Sequence, residues 1–178
     1  MRIAEPTPKR LLADDTFMVL RNTTVLHRMA SAIYKFFSRE TLRTIRQTEI
    51  RSNTNIQREI HALVSLFSRC TDTSVRIEFG NWPKSFRPEI NSFLLSFVKE
   101  SLTNAVKHGM ATSIQILCSM NKHHLSITVE DNGIGLQNNE IRYGIGLQSI
   151  AETVSQLNGE VKMASHGKGF CIHVQLPI

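Results

Sequence analysis

Asp131-Asn132-Gly133-Ile134-Gly135-Leu136, followed seven residues on by Tyr143-Gly144-Ile145-Gly146-Leu147, sets two glycine pairs around a short polar stretch. The first pair follows the alternating Leu125, Ile127 and Val129 and so stands at the end of a strand. The second opens a run in which Leu147, Ile150, Val154 and Leu157 recur at helical steps, with Asn158-Gly159 as its stop. Glycine lets a backbone approach a ligand closely, because it carries no Cβ. The free amides of a helix N-terminus favour phosphate. Asp131, at the strand end, has the chemistry to accept a hydrogen bond from an exocyclic amine such as that of adenine, which prefers adenine to guanine.

Upstream of this stretch lies the clearest helix of the chain, Glu89 to His108, ended by Gly109. Its apolar steps are Ile90, Phe93, Leu94, Phe97, Val98, Leu102, Ala105 and Val106. A second line on the same helix is polar. Glu100, Asn104 and His108 are four residues apart, with Lys107 beside them, so all four can face one site. Asn104 can offer an amide oxygen to a hard cation, Lys107 and His108 can approach phosphates, and Glu100 can orient or deprotonate a water or hydroxyl. On a lone helix these residues would equally describe a solvated edge.

The rest of the C-terminal part alternates. Val75, Ile77 and Phe79 make a short strand; Ile114, Ile116, Cys118 and Met120 pair with Leu125, Ile127 and Val129 as a hairpin through residues 121–124. Val161–Met163 and Phe170–Leu176 supply two final strands around a turn at His166-Gly167-Lys168-Gly169. The pattern predicts an α/β fold, a two-layer sandwich with its helices on one face of a mixed sheet, over residues 71–178. Residues 1–15, with Pro6 and Pro8 among charges, read as a flexible lead-in. Residues 16–70 carry helical periods only, ending in Ile56, Ile60, Leu63, Val64 and Phe67. They are thinly apolar, so packing against the main domain or a partner chain is expected.

The formal charge of +6 is unevenly placed: residues 1–70 hold 12 Lys and Arg against 6 Asp and Glu, and residues 71–178 hold 9 of each. The arginines at 39, 43, 46, 51 and 58 have no aromatic interleaving, which favours a solvated helix face over a nucleic-acid surface. Cys70, Cys118 and Cys171 have neither metal-site nor disulfide spacing, and Cys118 shares parity with core residues. No stretch approaches the roughly 18 apolar residues of a membrane helix, and the N-terminus lacks a signal-peptide core. The expectation is a cytoplasmic protein or the cytoplasmic piece of a larger one.

Two common nucleotide motifs are excluded. The chain has no Gly-x-x-x-x-Gly-Lys-Ser/Thr, and its glycines do not follow the first strand of a βαβ unit. Instead the ordered set resembles the ATP-binding domains of bacterial sensor histidine kinases, within the superfamily that includes gyrase, the Hsp90 chaperones and the MutL mismatch-repair proteins. Glu100-Ser-Leu-Thr-Asn104-Ala-Val-Lys107-His108-Gly109 resembles the family's N box. Asp131 to Leu136, Gly144-Ile-Gly146-Leu147 and Gly167-Lys-Gly169-Phe170 resemble its three glycine boxes. The very short lid at 137–143 and the ending Val174-Gln-Leu-Pro177 are similar to the DesK-like kinases that pair with NarL-type or LuxR-type regulators.

The resemblance covers roughly residues 72–178 and implies a Bergerat-type fold, ATP and Mg as ligands, and a response regulator or other protein substrate as partner. By it Asn104 holds the magnesium ion, Glu100 sits near the reacting phosphoryl group, Lys107 and His108 contact phosphates, and Asp131 reads adenine. Gly133, Gly135, Gly144, Gly146 and Leu147 shape the pocket and lid. The last box departs from the family in ending with Phe170 where a threonine is usual. The family also implies a homodimer through the N-terminal helices and a phosphoacceptor histidine followed by an acidic residue. His27 and His61 compete for that role, and neither has the acidic neighbour. Three functions stay open: a histidine kinase of two-component signalling, a serine/threonine kinase of the anti-sigma-factor kind, and a non-catalytic ATP-binding dimerisation or regulatory module.

Overall fold

The computed structural model describes residues 55–135, 144–165 and 168–178. Three helices and five strands alternate along them: α1 (Ile56–Thr71), β1 (Ser74–Phe79), α2 (Pro88–Lys107), β2 (Ser113–Met120), β3 (His124–Asp131), α3 (Ile145–Gln156), β4 (Glu160–Ala164) and β5 (Cys171–Pro177). The sheet order is β1-β2-β3-β5-β4. β1 runs parallel to β2, which requires a crossover, and α2 supplies it. The remaining pairs are antiparallel, so the sheet is mixed.

Parity decides which face meets the helices. Ile114, Ile116 and Cys118 on β2, Leu125, Ile127 and Val129 on β3, and Ile172, Val174 and Leu176 on β5 are buried, while the residues between them are half-buried or exposed. The helices cover that face. Ile90, Phe93, Leu94, Phe97, Val98, Leu102, Ala105 and Val106 of α2 are all buried, as their spacing predicts. Ile56, Ile60, Leu63, Val64 and Phe67 of α1 join the same cluster, so this helix packs against α2 and the sheet.

Local chemistry sets the ends. Asn55 caps α1, its side-chain oxygen accepting from the Gln57 amide at 3.0 Å. α2 begins on Pro88, whose missing N–H costs nothing in the first turn. The β2–β3 hairpin turns on Asn121, which accepts from the amides of His123 at 2.9 Å and His124 at 2.8 Å. Past the end of α3, Asn158 turns the chain with φ 57°, and the Gly159 amide donates back to the Val154 carbonyl at 2.8 Å. Among the described residues, no helix is long and apolar enough to cross a membrane.

Candidate nucleotide site

The polar line of α2 is a connected one. Asn104 Nδ2 donates to Glu100 Oε1 at 3.1 Å, one helical turn apart, and both side chains are half-buried. With its NH2 engaged, the amide oxygen of Asn104 remains available to an electrophile. Lys107 and His108 follow on the last turn and the cap and are exposed. All four predicted residues therefore lie along the C-terminal half of one helix.

Past the helix, Gly109 and the loop after β3 interlock. The Ile134 amide donates to the Gly109 carbonyl at 2.8 Å. Gly133 lies so close that an added Cβ would stand 2.2 Å from the Gly109 oxygen, inside any tolerable contact. Asn132 clamps the other side: its Oδ1 accepts from the amides of Thr112 and Ser113, each at 2.9 Å. The end of α2, the start of β2 and the loop leaving β3 are thus tied together by backbone contacts and one side chain.

Asp131 sits at the centre of that knot. Its Oδ1 accepts from the Gly133 amide at 2.8 Å, and its own amide donates to the Phe170 carbonyl at 3.0 Å. Burial raises its carboxyl above the ordinary aspartate value; backbone hydrogen bonds from Gly133 and Phe170 pull it back, and the neighbouring charge of Glu130 adds to the rise. One carboxylate oxygen is fixed by the loop, and the residue keeps acceptor capacity for a ligand amine. Gly135, with φ 68°, brings the loop against Ser165 and Gly169. Ser165 Oγ donates to the Gly169 carbonyl at 2.8 Å.

The second glycine pair opens α3. Gly144 is the N-cap residue, and the Gln148 amide donates to its carbonyl at 3.0 Å. The helix starts two residues before the expected Leu147, because Ile145 is 91% exposed and leaves no apolar trace of a helix start. Gly146 rests directly on Glu100: an added Cβ would lie 1.8 Å from Oε1. Gly144, by contrast, has open space among the described residues where a Cβ would be. Leu147 is half-buried against the core. From Glu100 and Gly146 a groove of about 390 Å³ continues between α2 and α3 toward Glu89 and Thr153.

The structure brings Glu100, Asn104, Gly144, Gly146 and Leu147 together at one end, and Lys107, His108, Asp131, Gly133 and Gly135 toward the other. Sequence reasoning missed Asn132, although it sits inside the quoted motif; its double acceptor role depends on β2, which the local sequence does not reveal. Phe170 is half-buried and packs against the core. His61 is exposed on α1 with its ring tilted against Phe79, centroids 5.2 Å apart. His27, Leu136, the lid at 137–143 and Gly167 lie outside the described residues.

The chain is similar to known proteins. Residues 90–178 match the family described as histidine kinase-, DNA gyrase B-, and HSP90-like ATPase. The sensor protein NarQ homolog of Haemophilus influenzae is 30% identical over 133 residues, which is 74% of this chain and 23% of that protein. Sensor histidine kinase ComP of Bacillus subtilis is 30% identical over 108 residues, 58% of this chain and 14% of that one. The chain thus spans about a quarter or less of the length of these relatives. The fold is shared with the histidine kinase domain of a blue-light activated histidine kinase from Erythrobacter litoralis, at TM-score 0.60 and 18% identity, covering 95% of this chain and 86% of that domain. With residues 90–178, half its length, matched by that family, the chain belongs to the histidine kinase-, DNA gyrase B- and HSP90-like ATPase family.

Proposed function

We propose that this chain binds ATP with magnesium between the C-terminal half of α2, the loop after β3 and the first turn of α3, and passes the terminal phosphoryl group to a histidine and then to a response regulator. The observation that carries the reading is the Glu100–Asn104 pair, 3.1 Å apart under Gly146, on a helix whose far end is anchored beside Asp131. The sensor histidine kinases among its relatives support the same reading.

Each residue then has a task. Asp131 accepts from the 6-amino group of the base, while Gly133 and Gly135 hold the loop that carries it. Lys107 and His108 face the phosphates as cationic or hydrogen-bonding groups. Glu100 orients the attacking group or takes its proton. Gly144, Gly146 and Leu147 set the first turn of α3, whose amides favour anionic oxygens.

Asn104 fits a magnesium ion, because its Nδ2 is engaged by Glu100 and its amide oxygen is a hard donor. Bound with the nucleotide, the ion would neutralise charge developing on the transferred group. A homodimer through the N-terminal helices, with His27 as acceptor, belongs to the same proposal. His61 is the weaker acceptor candidate, because it lies on α1 against Phe79 of the edge strand β1, an element that lends nothing to the site described above.

The test is incubation of the purified chain with γ-labelled ATP and magnesium, comparing wild type with Asn104→Ala, His27→Ala and His61→Ala. Base-stable, acid-labile label that disappears in Asn104→Ala and in His27→Ala is expected. ATP binding with no label on any histidine would refute self-phosphorylation and favour a kinase of another protein or a non-catalytic ATP-dependent module.

A further inference from the structure

Phe170 and Asp131 are cross-strand neighbours. β3 and β5 are antiparallel, with Glu130 paired to Cys171, and the Asp131 amide donates to the Phe170 carbonyl at 3.0 Å. The next pair along the ladder is therefore Asp131 with Phe170. Parity places both on the face that meets the helices: Asp131 continues Leu125, Ile127 and Val129, and Phe170 continues Ile172, Val174 and Leu176. Side chains directly opposite on one face have Cβ atoms about 4.5–5.5 Å apart. The ring is half-buried and packs against the core, which agrees with its place on the same face as the carboxylate.

We propose that Phe170 is a specificity-determining residue of the base pocket: its ring walls one side of Asp131, so that only a 6-aminopurine in a single pose can satisfy the carboxylate. This deepens the ATP reading and rests on it. The physical reasons are two. A phenyl ring offers no hydrogen bond, so neither a side-chain hydroxyl nor a water held by one can mediate between Asp131 and the wrong base. A 6-oxopurine in the same pose sets an acceptor against an acceptor. To present its N1–H instead, it must slide along the carboxylate, and a ring at the opposite strand position occupies the room for that slide. Covering of the Asp131 carboxylate is independently visible in the burial that raises its pKa.

Phe170→Thr and Phe170→Val test this. The two substituents are nearly isosteric and both suit a strand, so Val opens room without a hydroxyl and Thr adds one. Binding of ATP and of GTP to the full chain in magnesium is measured by calorimetry, with Asp131→Asn alongside and circular dichroism to check folding. The ATP over GTP preference is expected to fall roughly tenfold or more in both variants, further in Thr, because discrimination by a desolvated hydrogen-bonding group is lost when its surroundings relax. If the threonine variant does not fold, the valine variant alone decides. A preference unchanged in every folded Phe170 variant while Asp131→Asn abolishes it would overturn the role of Phe170 and leave the base reading standing. A preference unchanged in Asp131→Asn would overturn the base reading itself, and this inference with it.

Discussion

Gly146 lies against the carboxylate of Glu100, so closely that a methyl group there would stand 1.8 Å from Oε1 and 2.4 Å from Cδ. The first turn of α3 is thus seated on the residue that also holds Asn104. Gly146→Ala cannot be accommodated unless that carboxylate moves. The displaced group is the far end of a flexible side chain, so the fold should survive with stability changed by less than about 1 kcal/mol. Phosphoryl transfer should fall by roughly a hundredfold, as when a catalytic group is misplaced by about 1 Å. Gly144→Ala, with open space at its Cβ among the described residues, should lose far less than Gly146→Ala. Equal losses in the two variants would show that α3 matters for something other than its seat on Glu100.

Gly133→Ala meets backbone, not a side-chain tip. Its Cβ would fall 2.2 Å from the Gly109 carbonyl oxygen and 2.8 Å from Asp131 Oδ1. The loop must part from the end of α2, at a cost of about 1–3 kcal/mol typical of overpacking. ATP affinity should fall together with the midpoint of denaturant unfolding. Unchanged values of both in titration and in urea melts would refute the interlock.

Asp131 gives a pH dependence with a definite sign. Its carboxyl is raised from 3.8, chiefly by burial, so the native state holds the proton more tightly than the unfolded chain. Stability contributed by this group therefore falls as pH rises from 3.8 toward the raised native value, and the full cost of a buried charge is present above it. Asn can accept the Gly133 hydrogen bond without that charge. Asp131→Asn should melt higher than wild type near neutral pH, with the difference vanishing in acid, while its ATP binding weakens. Melting curves across pH would refute this if the difference were constant.

Cys118 is buried on β2, and burial pushes its thiol up to about 12. Thiol reagents attack the thiolate, so at about pH 8 it should stay unmodified in the folded protein. Cys70 and Cys171 are half-buried and should react, Cys171 slowly because burial and the charges of Glu130 and Asp131 raise its pKa. A count of two reactive thiols in buffer and three in denaturant is expected. Three in buffer would contradict the packing of β2.

Ile60 is fully buried on α1 within the core shared with α2. Ile60→Ala should destabilise the whole domain by about 2–5 kcal/mol in one transition, since it leaves a cavity in that core. A variant that loses helix content without shifting the main transition would show α1 to be a separate unit.

Much of this was legible in the chain, and the reasons differ by residue. α2 was readable because its two lines, apolar from Ile90 to Val106 and polar from Glu100 to His108, have the same helical step. Strand faces were readable from parity at Ile114 through Leu176. Strand order was not, because β5 inserts between β3 and β4 through pairings that leave no local mark. The true start of α3 was hidden by Ile145, an exposed residue at a helix end. Within the site, residue types and spacing pointed to Asp131 and Glu100. The contact between Gly133 and Gly109 and the reach of Asn132 to Thr112 and Ser113 became visible only once β2 and β3 were paired.

The interlock at Gly109 and the seat at Glu100 make α2 a gauge rod. Glu100 stands on the helix and Gly109 two residues past its end, so at about 1.5 Å of rise per residue the helix sets roughly 10 Å of the distance between them. On the proposed ATP reading, a ligand held by its base at Asp131 is measured against that length, and a nucleoside without its phosphates would not reach Glu100. Length discrimination would then come from helical geometry itself. Inserting or deleting one residue between Glu100 and Gly109 would spoil it twice over, by altering the span and by turning the carboxylate about 100° around the helix, away from Gly146.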